Sequence, residues 1–219
     1  MDEPPSDAAA AETSAGLPPT ATLPLIVGIG ASAGGLDPLS VLLARLPAES
    51  RAAFVVVQHL QADHASHLAD LLGRVSAMPV VAITDGIAPA PGTVSVLPPG
   101  HEVTLVGGVL RLRPRPSSTG PQSPIDLLFR SLAEDCGPRA VGVVLSGTGA
   151  DGTAGLLAIK AAGGFTFAQD PASAEFRGMP MSAASAGGAD AVMPPEAIAD
   201  AIHGLTARAA SPVPTTARS

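Results

Sequence analysis

One serine stands among small residues in Gly30-Ala31-Ser32-Ala33-Gly34, directly after the apolar run Leu25–Ile29. G-x-S-x-G is the pattern of a nucleophile elbow, a sharp strand-to-helix turn that holds its serine out toward substrate. Small neighbours are needed because a backbone folded so tightly leaves no room for larger side chains. A helix starting there would offer free N–H groups to an oxyanion. A Gly-rich first β–α turn is also how a dinucleotide fold holds pyrophosphate. The turn alone leaves both chemistries open.

A serine becomes a useful nucleophile when a base takes its proton and an acid orients that base. In an open parallel sheet, sites form beyond the carboxyl ends of the strands. His59 follows Val57-Gln58 at such an end, and Asp151 lies in Ser146-Gly147-Thr148-Gly149-Ala150-Asp151-Gly152 after Val141–Leu145. Ser32, His59 and Asp151 are therefore predicted on one rim, as the parts of a Ser-His-Asp triad. The backbone amides of Thr148 and Gly149 could face an oxyanion. Asp170, after Phe165–Ala168 and Gln169, is a rival acid. The loop Glu175-Phe176-Arg177-Gly178-Met179 falls near the same rim and could touch substrate. Each residue also has a purely structural reading: His59 as a hydrogen-bonded strand-end residue, Ser32 as a helix N-cap, Asp151 as the cap of the helix after it.

The elements that must position these groups alternate along the chain. Strands are predicted at Leu25–Ile29, Ala53–Val57, Pro79–Ile83, Thr93–Leu97, Ala140–Leu145, Phe165–Ala168 and Ala189–Val192. Helices are predicted at Leu36–Leu46, Ala65–Val75, Ile125–Asp135, Thr153–Ala162, near 180–186 and at Pro194–Ala207. Glu102–Val106 and Val109–Arg113 flank Gly107-Gly108, a two-residue hairpin signal. Uninterrupted Val/Ile/Leu strands between helices predict a three-layer α/β fold, a mostly parallel doubly wound sheet with an antiparallel edge hairpin. Residues 23–207 form the expected domain. Residues 1–22 and 208–219, rich in Ala, Pro, Ser and Thr, read as disordered tails, and Pro114–Pro124 as a loop.

Composition closes off other classes. The net charge of −7, with 2% aromatic residues, argues against nucleic acid as a partner. No apolar run reaches the length of a membrane span. Cys136 is the only cysteine, which suits a reducing, cytoplasmic location. His64 and His67, with His59 and Asp63, lack a clear metal-ligand spacing and read as a solvated face; no metal or cofactor is expected. His101 follows the turn Pro98-Pro99-Gly100, and His203 lies on a terminal helix. Arg111, Arg113 and Arg115 alternate as on one solvated strand face.

Gly30-Ala31-Ser32-Ala33-Gly34-Gly35, Val57-Gln58-His59, Leu145–Gly152 and Ala168-Gln169-Asp170…Gly178-Met179-Pro180 together resemble the catalytic domain of the CheB family of chemotaxis protein-glutamate methylesterases. The resemblance runs over about residues 23–204. The stretch Pro124–Asp135 is most similar to CheB domains of CheB–CheR fusion proteins. It implies a serine esterase that demethylates glutamate γ-methyl esters on the cytoplasmic domain of a methylated chemoreceptor, with glutamine deamidation as a second activity. By that resemblance Ser32 is the nucleophile, His59 the base, Asp151 the acid, and the backbone around Thr148 the oxyanion region. Ala33 stands where the family often has threonine, and Met181 where arginine is common. No receiver domain is expected in the 22-residue tail, so control by phosphorylation of this chain is not expected, and a separate regulatory protein is one candidate partner.

Two other readings stay in view. One is a CheB-like signalling or binding module that has lost activity, or a nucleotide-binding module using Gly28-Ile29-Gly30. The other is an α/β-hydrolase, whose order of serine, acid and histidine would recruit Ser32, Asp151 and His203; an elbow after the first strand argues against it.

Overall fold

The computed structural model describes residues 23–58, 67–116 and 123–209. In chain order the strands are β1 (Ile26–Ala31), β2 (Ala53–Gln58), β3 (Val80–Ala82), β4 (Val94–Val96), β5 (His101–Val106), β6 (Val109–Pro114), β7 (Ala140–Val144), β8 (Phe165–Gln169) and β9 (Ala191–Met193). The α-helices are α1 (Leu36–Arg45), α2 (Leu68–Gly73), α3 (Pro124–Cys136), α4 (Thr153–Ala161), α5 (Gly178–Ser185) and α6 (Pro195–Ala209). Seven strands form one sheet in the order β3-β4-β2-β1-β7-β8-β9. All its pairings are parallel.

The central strands are apolar throughout because both faces of the sheet are covered. Val27, Ile29, Val56 and Val143 pack with Leu39 and Leu42 of α1, Leu72 of α2, and Ile198 and Ile202 of α6. On the other face Val55, Val57 and Val144 pack with Leu128, Phe129 and Leu132 of α3, Leu156 and Ile159 of α4, and Met179 of α5. The three-layer α/β arrangement is the one predicted.

The hairpin β5–β6 is a two-stranded sheet of its own, paired from His101↔Pro114 to Val106↔Val109. It lies over α3 rather than extending the large sheet. Its Leu105 amide donates to Ser131 Oγ at 2.9 Å, and the turn amides of Gly107 and Gly108 donate to the Asp135 carboxylate at 2.7 and 2.8 Å. Arg111 and Arg113 are exposed, whereas Arg115 lies past β6 and is partly buried. Helix α6 runs on to Ala209, into the first two residues of the expected 208–219 tail; the rest of both expected tails lies outside the described residues.

Gly28 and Gly30 sit inside β1 and let α3 press onto the sheet. A Cβ on Gly28 would stand 2.7 Å from Leu132 Cδ1, and one on Gly30 would collide with Ile125. Helix packing accounts for these two glycines, which lie in the strand and not in a phosphate-binding turn.

Candidate active site

Ser32 is the first residue after β1, and its backbone is held on both sides. Its N–H donates to Ser146 O at 2.9 Å, and its carbonyl accepts from Gly35 N at 3.0 Å. The second bond closes a four-residue turn, with Gly34 at φ +62°. That positive φ is one reason glycine stands at 34; the other is that Glu175 and Phe176 lie against it, leaving no space for a Cβ. Helix α1 begins only at Leu36, with Gly35 as its N-cap. Ser32 is therefore not a cap, and the helix start lies beyond the serine rather than at it.

Past the end of β7, the chain folds back toward the serine. Ser32, Thr148, Gly149, Asp151 and Met179 line one cleft of about 640 Å³, with Ser123, Ile125, Asp126, Thr153, Ala154 and Leu157 among the other walls. The cleft lies beyond the carboxyl ends of the parallel strands, as the fold dictates. Gly147 makes the junction tight: a Cβ there would run into Met179 Sδ and stand 2.9 Å from Ser32 Cβ. Thr148 and Gly149 are exposed. Among the described residues, none accepts a hydrogen bond from their amides.

Asp151 does cap a helix, but not the one that follows it. Its Oδ2 accepts from Ile125 N at 3.2 Å, and its Oδ1 from Asp126 N at 3.0 Å and Gly152 N at 2.9 Å. Ile125 and Asp126 are the second and third residues of α3, where an N-cap oxygen belongs. Ser123 and Gly152, at the local cap positions of α3 and α4, make no side-chain cap bond. Asp126 returns the arrangement: its Oδ1 accepts from Gly155 N, the third residue of α4, at 2.7 Å. Burial pushes the Asp151 carboxyl above its ordinary value; the nearby Asp126 charge adds to this, and the three amides oppose it. Among the described residues Oδ2 receives one amide only, which leaves it a further acceptor position.

His59 and His64 lie outside the described residues. His67 is exposed beside Asp70, 3.9 Å away. Asp170 closes its own loop, accepting from Ala172 N at 3.1 Å, and does not line the cleft. His203 is exposed on α6 and does not line it either. Of the loop 175–179, Met179 reaches the cleft, while Phe176 bonds through its backbone to Ser146 and Gly147. Met181 is exposed on α5. Asp126 has only a local signal in the sequence, an acidic residue in the first turn of a helix that opens with proline, and nothing there points to its bond with α4.

A family model described as CheB methylesterase matches residues 27–202. A protein-glutamate methylesterase/protein-glutamine glutaminase 2 of Burkholderia pseudomallei (strain 1710b) is 40% identical over 200 residues, covering 91% of this chain and 58% of that protein. A protein-glutamate methylesterase/protein-glutamine glutaminase 1 of Xanthomonas euvesicatoria pv. vesicatoria (strain 85-10) is 40% identical over 188 residues, 84% of this chain and 52% of the relative. The chain thus spans little more than half the length of these relatives. The crystal structure of the Thermotoga maritima CheB methylesterase catalytic domain superposes with a TM-score of 0.77 at 31% identity, covering 83% of this chain and 98% of that one.

Proposed function

We propose that this chain, which belongs to the CheB methylesterase family, is a serine hydrolase of glutamate γ-methyl esters on the cytoplasmic domain of a chemoreceptor. The observation that carries the reading is the shared cleft of Ser32 and Asp151, with the amides of Thr148 and Gly149, which no described residue accepts from, on its wall.

In this mechanism His59 takes the Ser32 proton as Oγ bonds to the γ-carbonyl carbon. The carbonyl oxygen becomes an oxyanion, received by the amides at 148–149. The imidazolium donates one N–H toward the free side of Asp151 Oδ2 and protonates the departing methoxide, which leaves as methanol. Water, deprotonated by His59, then attacks the acyl-serine carbonyl and releases the glutamate side chain, and Ser32 recovers its proton. A glutamine side chain follows the same path with ammonia as the leaving group, which accounts for a deamidase activity. The partner is a protein surface in the cytoplasm, and these steps call for no cofactor.

The test is methanol release from a γ-methyl-glutamyl receptor fragment. Wild-type chain should release methanol and label at Ser32 with a fluorophosphonate; Ser32→Ala and His59→Ala should do neither measurably. Full turnover by Ser32→Ala would end the reading.

A further inference from the structure

The serine turn is bound to a buried hydroxyl that the hydrolytic steps do not use. Ser146 is fully buried. Its Oγ donates to the Ala33 carbonyl at 2.9 Å and accepts from Phe176 N at 3.0 Å. Its own backbone is fixed as well: Ser146 N donates to Gln169 Oε1 at 2.8 Å, and Gln169 Nε2 donates to Ser173 O at 3.0 Å. Gln169 is 1% exposed. Two carbonyls lie in reach of the hydroxyl's single proton, Ala33 O at 2.9 Å and Phe176 O at 3.4 Å, and the shorter bond goes to Ala33.

Ala33 and Gly34 are the central residues of the turn closed by Ser32 O and Gly35 N. Among the described residues, none but glycine has a positive φ, and Gly34 stands at +62° in the third position. That is the type II pattern. A type II turn becomes type I when its middle peptide rotates and the third residue takes a negative φ. Glycine adopts either sign without steric cost, so nothing in Gly34 itself prevents the flip. The middle peptide here carries the Ala33 carbonyl, and only in the type II form does that carbonyl meet Ser146 Oγ. The same hydroxyl holds Phe176, which lies against Gly34.

We propose that Ser146 is a positioning residue: its side chain locks the nucleophile turn in one of its two backbone forms and so fixes the direction of Ser32. The catalytic half of this inference rests on Ser32 being the nucleophile.

Ser146→Ala removes the lock, and Thr206→Val is the matched control. Thr206 is another buried hydroxyl, donating to His203 O at 2.7 Å on α6, outside the cleft. In Ser146→Ala the amide resonances of Ala33 and Gly34 should double or broaden by exchange, with those of α6 unmoved. Fluorophosphonate labelling of Ser32 should slow about tenfold at an unchanged half-saturating probe concentration, since a loosened reactive group costs rate before binding. Thr206→Val should do neither, whatever its loss in melting temperature. Single sharp resonances at wild-type positions, or a wild-type labelling rate, would overturn the proposal. If the alanine variant does not fold, Ser146→Cys, of similar volume with a much weaker donor, is read by the same two assays with the same outcomes. An unlabelled wild-type chain would refute the esterase reading instead, and the resonances would still decide the lock.

Discussion

Asp151→Asn should separate what this side chain does for the fold from what it does for chemistry. The carboxylate receives three amides, two of them the second and third N–H groups of α3. An asparagine oxygen in place of Oδ1 still accepts from Asp126 and Gly152. Its amide nitrogen then replaces Oδ2 and faces the Ile125 N–H, donor against donor. Ile125 is fully buried, so its amide is left without an acceptor, at a cost of about 1–3 kcal/mol. Loss of negative charge at the start of a helix adds about 0.3–1 kcal/mol. Burial, which raises the pKa of Asp151, opposes both, because the neutral side chain is less penalised. The net expectation is about 2 kcal/mol in urea unfolding at neutral pH, a fall in Tm of roughly 4–8 °C for a domain this size. The pH dependence has a definite sign. A carboxyl whose folded pKa is raised contributes stability below its ordinary value, 3.8, and loses it as pH rises through the folded value. The gap between wild type and variant should therefore narrow as pH rises from acid toward neutral. Methanol release should fall much further than unfolding explains, by about 10³–10⁴-fold, since an asparagine presents the base with the wrong hydrogen-bond partner. Turnover within tenfold of wild type would remove Asp151 from the triad. An unchanged urea midpoint would refute the cap argument.

Three further outcomes follow from the same geometry. Gly30→Ala drives a Cβ into Ile125 and should cost about 1–3 kcal/mol by urea unfolding, with reduced turnover because the start of α3 forms a wall of the cleft. Asp135→Ala should cost about 1 kcal/mol, because the two hairpin amides it frees are in reach of water. Turnover should be unchanged, since the residue lies near the far end of a helix about 20 Å long. Burial raises the Asp190 pKa, but its bonds to Lys160 and Thr166 outweigh this and hold it below 3.8. Its contribution is therefore present above that value and lost as pH falls through the folded value. Asp190→Asn should flatten thermal stability on the acid side and leave methanol release at neutral pH alone.

How much of this was legible in the sequence depended on the range of the interaction. Apolar runs covered on both faces gave the parallel sheet, and strand ends followed by polar residues gave the rim that holds Ser32 and Asp151. Gly107-Gly108 announced a hairpin through local turn chemistry. That the hairpin folds over α3 is decided by Ser131 and Asp135, more than twenty residues along the chain, and no local pattern reports it. Asp151 before Gly152-Thr153 read locally as the cap of its own helix; two of the three amides it takes belong to residues 125 and 126. Gly28-Ile29-Gly30 read as part of a nucleotide signature because the helix it makes room for is a hundred residues away. Ser146 was visible only as a strand-end serine, since its partners lie at 33 and 176.

The crossed carboxylates of Asp126 and Asp151 bear on the order of folding. Each of α3 and α4 starts with an empty local cap and borrows its acceptor from the neighbourhood of the other. Neither start is completed by its own segment, so a nascent α3 waiting for β7 and α4 to be added lacks the group that would hold its first turn. The two helices and the strand between them should therefore form a single cooperative unit that gains protection from hydrogen exchange together. Because the proposed acid of the site is itself one of the borrowed caps, any partly folded chain in which these helices have not met is also one without an assembled cleft.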